Sequence, residues 1–244
     1  MATPSAQPDP QIVSAPATDS ITNTHRWIDL GMVMAVAFAS SILGSIYRAL
    51  HSEALYQSNP RLLFGIVQEA IALCLFLVLF KRQERRLSDI GFGFRWTDVP
   101  KGLGLAVAGL TAIWVVYFAT SFVSFVILSH KLVDNGPRWN FAGASVWAIL
   151  PFLVLNPFFE EILVRGYLMT ELIDLRKSVV LAALISLVVQ TSYHLYYGVF
   201  GALMVGCGLS IFVIYYAKSR RLMPVILGHM FWDLITVFSR FHHS

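Results

Sequence analysis

The sequence has few charged residues and few cysteines. Only 13% of its 244 residues are Asp, Glu, Lys or Arg, whereas 57% are hydrophobic. Soluble globular domains carry about 25% charged residues, so this composition, with a mean hydropathy of +0.66, excludes a water-soluble domain. Two cysteines, Cys74 and Cys207, cannot build a disulfide framework. The composition predicts an integral membrane protein.

The N-terminal stretch lacks the two features of a signal peptide. No basic residue precedes Arg26, and residues 1–25 contain no long apolar run. Their high content of Pro, Ala, Ser, Thr and Asp predicts a disordered tail in front of a membrane domain at 26–244.

Seven apolar segments follow the tail, and most reach the ~20 residues that cross ~30 Å of hydrocarbon. Backbone polar groups in lipid must be satisfied within the segment, so these segments are expected to be helices. The predicted fold class is an all-α polytopic membrane bundle with seven crossings, or eight if the third segment divides. The segments are 28–47, 62–80, 102–128, 145–168, 179–197, 199–217 and 222–239.

The Lys and Arg residues cluster beside apolar segments, so the net charge of +4 indicates membrane topology and no nucleic-acid partner. Cytoplasmic loops of membrane proteins are enriched in these residues. With seven crossings the clusters fall on one side, and we expect that side and the N-terminus to be cytoplasmic. The clusters span Lys81–Lys101, Arg176–Lys177 and Lys218–Arg221.

Two adjacent carboxylates, Glu160 and Glu161, interrupt the fourth apolar segment. An ionisable group at membrane depth is costly, so each one needs a physical reason. Glu161 and Arg165 are four residues apart on one helix face, a spacing that favours an ion pair. Glu160 lies about 100° around the helix, so Arg165 need not neutralise it. The spacing predicts a structural or supporting Glu161–Arg165 pair and a Glu160 carboxylate available for proton chemistry.

Two further polar pairs lie in the last apolar segments. Gln190 and His194 share one helix face, and His229 and Asp233 share another, so the Asp233 carboxylate can orient or charge the imidazole. Either pair taken alone is compatible with a purely structural contact. Their depths in the membrane decide whether they act together.

The positions of these pairs relative to the basic loops predict a common depth. Glu160 lies 17 residues before Lys177 and His194 lies 17 residues after it, so a helical hairpin that turns at Lys177 brings both to one level. His229 follows Arg221 from the same side, and helix tilt can absorb its shallower position. An acid and two imidazoles at one depth favour a functional site.

These residues, in this order, resemble the CPBP intramembrane protease family, which includes CAAX prenyl endopeptidases and bacterial members linked to bacteriocin handling or self-immunity. The resemblance covers about 145–238, and Leu87–Phe92 also resembles a short cytoplasmic link of the family. Gln190 stands where the family has Phe, which alters the packing beside the site or adds a hydrogen bond there. The motifs E-E-x-x-x-R, F-x-x-x-H and H-x-x-x-N or D appear as Glu160-Glu161…Arg165, Gln190…His194 and His229…Asp233.

The resemblance implies a glutamate-dependent endopeptidase with no metal and no cofactor. Glu160 and His194 would bind and activate a water. His229 and Asp233 would stabilise the oxyanion on a peptide carbonyl. The supporting residues would be Glu161, Arg165 and Gln190.

The expected partners are a lipid bilayer and a peptide or protein substrate, whether prenylated or bacteriocin-like. The short chain, by analogy with the family, favours a bacterial plasma (inner) membrane. Because hydrolysis in lipid needs water, we expect a polar cavity that opens toward the basic, cytoplasmic face.

Three alternatives stay open. Glu, His and Asp can bind zinc, although H-E-x-x-H is absent and the two histidines lie on separate helices. A transporter or scaffold could use Glu160 and the histidines as proton relays or helix contacts. Glu69 fits that reading, or it is a structural partner for another buried polar group. The third alternative is an immunity-type protein that binds a peptide without cutting it.

Overall fold

The structure is a computed structural model that describes residues 17–51, 56–128 and 140–241. Within these ranges, α-helices carry most residues, and a π-helical segment, Glu161–Met169, continues the fourth helix. Short 3₁₀ turns lie at Leu87–Ile90 and Leu195–Tyr197. The helices are α1 (Ala17–His51), α2 (Asn59–Arg82), α3 (Asp98–Leu128), α4 (Val146–Glu160), α5 (Thr170–Arg176), α6 (Val179–Tyr193), α7 (Gly198–Ser219) and α8 (Met223–Phe241).

The seven predicted membrane segments are confirmed as helices. Five stretches are long and apolar enough to cross a membrane, and α6 and α8 supply two shorter apolar helices. The third segment does not divide, because α3 runs without a break. The fifth segment ends earlier than predicted, since α6 stops at Tyr193 and a 3₁₀ turn follows. The five long stretches are Asn23–His51, Asn59–Arg82, Asp98–Val126, Val146–Arg176 and Leu195–Ser219.

The start of the first helix differs from the prediction. Helix α1 begins at Ala17, inside the stretch 1–25 that was predicted to be a tail. The sequence from residue 17 to the end of α1 contains no proline, which would break a helix interior. Residues 1–16 of the predicted tail lie outside the described residues.

The helices run between two ends of the bundle, which we name the strand end and the basic end. At the strand end, β1 (Tyr56–Ser58) follows α1 and pairs in parallel with β2 (Asn140–Gly143), which precedes α4. This short pair is an addition to the predicted all-α fold. At the basic end lie the 83–97 loop and the turns after α5 and α7.

Acidic side chains pair with the arginines of the basic end. Arg26 Nε lies 2.9 Å from Glu171 Oε2, and Arg26 Nη2 lies 3.1 Å from Asp174 Oδ2. Arg85 pairs with the same two carboxylates. Burial lowers the pKa of the Arg85 guanidinium, while the Asp174 carboxylate raises it. These pairs tie α1 and the 83–97 loop to α5.

The predicted hairpin turns at Lys177, whose φ of 54° lies in the left-handed region. Ser186 Oγ donates a hydrogen bond to the Val164 carbonyl oxygen at 3.2 Å, which joins the two arms. The sequence did not predict the π-helical segment that begins directly after Glu160. Such segments are rare and occur frequently at functional sites.

Gly91 in the basic-end loop offers a test of the packing. Its φ is 75°, and a Cβ there would lie 1.8 Å from the Arg220 carbonyl oxygen. Gly91→Ala is expected to lower the free energy of unfolding by roughly 3 kcal/mol, because both backbone strain and a backbone clash oppose it. The thermal unfolding midpoint of the purified protein measures this loss.

The matched control is Gly93→Ala, two residues along the same loop. Nothing lies within 4 Å of a Cβ at Gly93, so this variant is expected to stay within about 0.5 kcal/mol of the wild type. Equal losses in the two variants would contradict the observed docking of the loop.

Candidate active site

A cavity of about 370 Å³ lies between the helices at the level of Glu160. Helices α1, α2, α4, α7 and α8 and the end of α6 form its walls. The structure therefore brings together, around one space, side chains that are far apart in the sequence. The lining includes four predicted site residues, Glu160, His194, His229 and Asp233.

The Glu160 carboxylate accepts three hydrogen bonds. Tyr193 Oη donates to Oε2 at 2.5 Å, and Gln190 Nε2 donates to the same oxygen at 3.0 Å. Asn156 Nδ2 donates to Oε1 at 3.1 Å. Since a carboxylate offers about four acceptor positions, Oε1 has room for one more donor. The Glu160 side chain lines the cavity, so that donor can come from the cavity.

Glu161 is held by charged partners instead. Its Oε2 lies 3.2 Å from Arg165 Nε, and both side chains are fully buried. Its Oε1 accepts a hydrogen bond from His229 Nδ1 at 2.8 Å. The ion pair expected from the spacing is present, while the contact with His229 was not predicted. The two adjacent carboxylates thus have different surroundings.

The hydrogen bond of His194 fixes which ring nitrogen carries the proton. His194 Nδ1 lies 2.8 Å from the Gln190 carbonyl oxygen. A carbonyl oxygen only accepts, so Nδ1 is the donor, and in the neutral ring Nε2 is left as an acceptor. His194 also lines the cavity. Its free ring nitrogen is suited to accept a hydrogen bond there.

Asp233 is a more distant neighbour of His229 than the sequence suggested. Asp233 Oδ1 lies 3.7 Å from His229 Nε2, which is longer than a hydrogen bond. The short bond to Glu161 orients the imidazole, and Asp233 acts on its charge through space. Both carboxylates favour the protonated ring, which then carries a donor at each nitrogen.

Gln190, the departure from the family motif, is fully buried and bonds the carboxylates. Its Nε2 lies 3.0 Å from Glu160 Oε2 and 3.5 Å from Glu161 Oε1. Of the two consequences considered for this residue, the added hydrogen bond is the one observed. A Phe at this position could not donate to either carboxylate.

Three residues of the site were missed as site residues by the sequence reasoning. Tyr193 and Asn156 bond Glu160 directly, and Glu69 accepts a hydrogen bond from Asn156 at 3.1 Å. All three line the cavity. The reading of Glu69 as a partner for another buried polar group agrees with this contact. Asn156 could have been found from its spacing of four residues before Glu160.

The expectation that the cavity opens toward the basic face is wrong. Its mouth is lined by Arg48 at the end of α1, Gln57 in β1 and Arg61 at the start of α2, all at the strand end. The ion pairs of Arg26 and Arg85 occupy the opposite end. A second, separate polar pocket lies at that end, and it shares no lining residue with the cavity at Glu160.

The described residues contain no group of three or more His, Cys, Asp or Glu side chains arranged to hold a metal ion. The polar groups at the cavity are instead arranged in pairs and chains of hydrogen bonds. The arrangement can hold a water, transfer a proton and donate hydrogen bonds to a developing negative charge.

Part of the chain matches a known family model. Residues 142–235 match the family model described as Rce1-like, type II CAAX prenyl endopeptidase. The matched range contains every motif residue, and it confirms the resemblance to the CPBP family. Searches of curated proteins and of solved structures give no match.

Proposed function

We propose that this protein, whose residues 142–235 are Rce1-like, is an intramembrane endopeptidase in which Glu160 activates a water. The family match supports a membrane peptidase of the CAAX type. The finer mechanism rests on one observation, which is that Glu160, His194 and His229 line the same cavity. Peptide hydrolysis needs a base, a held water and a donor for the oxyanion, and these side chains supply all three.

The attacking water sits between Glu160 and His194 in this proposal. It donates one hydrogen to the remaining acceptor position on Glu160 Oε1 and the other to His194 Nε2. Tyr193, Gln190 and Asn156 hold the carboxylate still, so the base is positioned before the substrate arrives. Pre-positioning of this kind lowers the entropic cost of reaching the transition state.

In the chemical step, one proton moves first from the water to Glu160 and then from Glu160 to the leaving nitrogen. The water oxygen bonds to the peptide carbonyl carbon while Glu160 takes its proton and the carbonyl oxygen becomes an oxyanion. Collapse of this intermediate breaks the carbon–nitrogen bond, and the proton on Glu160 passes to the leaving nitrogen. The products are a new carboxyl terminus and a new amine.

His229 stabilises the oxyanion. With Nδ1–H bonded to Glu161, the protonated ring presents Nε2–H to the cavity. Asp233 beside it favours the protonated ring, and it donates a hydrogen bond itself only when it carries a proton. A donor aimed at a developing oxyanion in a dry site contributes about 3–4 kcal/mol.

The proposal is tested with purified protein and a peptide library that includes prenylated and unmodified members, with cleavage sites read by mass spectrometry. His194→Gln and His229→Gln are each expected to lower kcat by at least about 10²-fold. His51→Gln is the matched control, since His51 is exposed at the end of α1 and does not line the cavity. Cleavage unaffected by either active-site change would refute the mechanism.

A chelator separates this mechanism from the zinc alternative. Incubation of the wild type with a chelator is expected to leave the cleavage rate unchanged. Loss of cleavage that zinc then restores would favour a metallopeptidase. The absence of any cut from the whole library with the wild-type protein would favour peptide binding or transport over hydrolysis.

A further inference from the structure

We infer that the substrate reaches Glu160 from the membrane face opposite the Lys- and Arg-rich loops, as a peptide segment presented on the outer side. The inference rests on the proposed function for what occupies the cavity. The direction from which the substrate enters is inferred from the residues that line the cavity and from the distribution of Lys and Arg. It replaces the cytoplasmic access that the sequence suggested.

The lining residues lie on one side of Glu160 along each long helix that lines the cavity. Helices α1 and α8 run toward the strand end, and their lining begins at Ala37 and His229. Helices α2, α4 and α7 run the other way, and their lining stops at Glu69, Glu160 and Leu209. The described lining therefore reaches from Glu160 to the strand end and not toward the basic end.

Aromatic side chains form the floor of the cavity. The ring of Phe38 stacks on Tyr193 with centroids 5.1 Å apart and packs on Phe159 at 5.2 Å. Further toward the basic end, Phe76 packs on Tyr167 at 5.1 Å. These side chains are buried. A peptide or water could cross this layer only if it were unpacked.

Ion pairs stabilise the packing of the region behind the aromatic floor. Arg221 Nη2 lies 2.7 Å from Asp98 Oδ2, and the Asp98 side chain is fully buried. Arg26 and Arg85 pair with the buried Glu171. Breaking a buried pair leaves an uncompensated charge, so these contacts are strong, and the polar pocket at this end shares no lining residue with the cavity at Glu160.

The route from the strand end is polar enough for a peptide. On α1, the exposed side chains of Ser40 and Ser41 line the cavity. On α2, Gln68 donates a hydrogen bond to Ser40 at 2.7 Å, where the two helices meet. Hydroxyl and amide groups can bond the backbone of an extended peptide, which lipid tails cannot use. These groups give a peptide backbone bonding partners within a lining that is otherwise mostly apolar.

The Lys and Arg distribution orients the bundle. The basic end carries the clusters Lys81–Lys101, Arg176–Lys177 and Lys218–Arg221. Such clusters mark cytoplasmic loops, so the strand end and the cavity mouth face the outer side. The segment that is cut is then delivered by a secreted or membrane-anchored protein whose peptide chain emerges on that side.

Cysteine labelling tests the direction without relying on proteolysis. In a background with Cys74→Ala and Cys207→Ala, single cysteines are placed by Arg61→Cys at the mouth and Ser41→Cys on the wall. A third is placed by Ser88→Cys in the basic-end loop. Intact cells are treated with a membrane-impermeant maleimide. We expect the first two to be labelled, and Ser88→Cys to be labelled only after permeabilisation.

Leu43→Cys is the matched control for the wall. Leu43 is 67% exposed on the bundle surface, two residues from Ser41, and does not line the cavity. It is expected to stay unlabelled in lipid while Ser41→Cys reacts. Labelling of Ser88→Cys alone in intact cells would overturn the inference, and so would a Ser41→Cys that remains unlabelled after permeabilisation.

Membrane vesicles of known orientation test from which side of the membrane the substrate reaches the cavity. A membrane-impermeant peptide that the purified protein cleaves is added to right-side-out and to inverted vesicles. We expect cleavage in the right-side-out vesicles, and in the inverted ones only after detergent is added. The opposite pattern overturns the outer-face inference but leaves the proposed hydrolysis intact, because the peptide is cut in either case.

Discussion

Glu160→Gln is expected to lower kcat by at least about 10³-fold, because a positioned general base contributes roughly 10²–10⁴-fold. The amide cannot take the proton of the attacking water. It also turns one acceptor into a donor facing Tyr193 and Gln190, which already donate to this side chain. Initial rates on a peptide that the wild type cleaves measure the effect.

The matched control is Glu84→Gln, the same change at an exposed carboxylate in the loop after α2. It lies outside the cavity lining, and its kcat is expected to stay within about twofold of the wild type. A similar thermal unfolding midpoint for both variants would show that lost activity is not lost folding. Wild-type kcat in Glu160→Gln would remove Glu160 from the mechanism.

Arg165→Met is expected to lower the free energy of unfolding by about 3–5 kcal/mol, since it leaves the buried Glu161 carboxylate without its guanidinium partner. Met has a similar length, so packing is largely preserved. His229 is the other partner of Glu161 and offsets part of the loss only by holding a proton. The shift of the thermal unfolding midpoint measures the effect.

A double variant separates charge from packing in this prediction. Glu161→Gln with Arg165→Met removes both charges, so it is expected to be more stable than Arg165→Met alone. Replacing a buried ion pair by uncharged groups is often neutral, whereas removing one partner is costly. A double variant as unstable as the single one would show that packing, and not the uncompensated carboxylate, causes the loss.

The sequence predicted the helical bundle well because lipid leaves the backbone few choices. Long apolar runs must satisfy their own hydrogen bonds, so their number and order follow from the sequence. Spacing also found the Glu161–Arg165 pair, because residues four apart on a helix are neighbours. The prediction of one tail over residues 1–25 did not use the absence of proline from residues 17–51, which allows a helix there.

The features of the site that the sequence did not predict depend on contacts between segments that lie far apart in the sequence. Glu69 reaches the site through Asn156, across the α2–α4 contact, and no local pattern encodes that meeting. His229 bonds Glu161 rather than its helical neighbour Asp233 because α8 packs against α4, which leads directly into the segment that carries Glu161. The direction of the cavity depended on which residues of six separate segments line it. Arg85 finds its acids in α5, far along the chain.

An experimental density map of the protein in lipid nanodiscs, at a resolution that shows ordered water, tests the central claim most directly. The account predicts a water within hydrogen-bond reach of Glu160 Oε1 and His194 Nε2, about 2.6–3.2 Å from each. It also predicts continuous solvent from this water to the strand end. Glu160 and His194 pointing apart, or a cavity filled by acyl chains with no water between them, would contradict it.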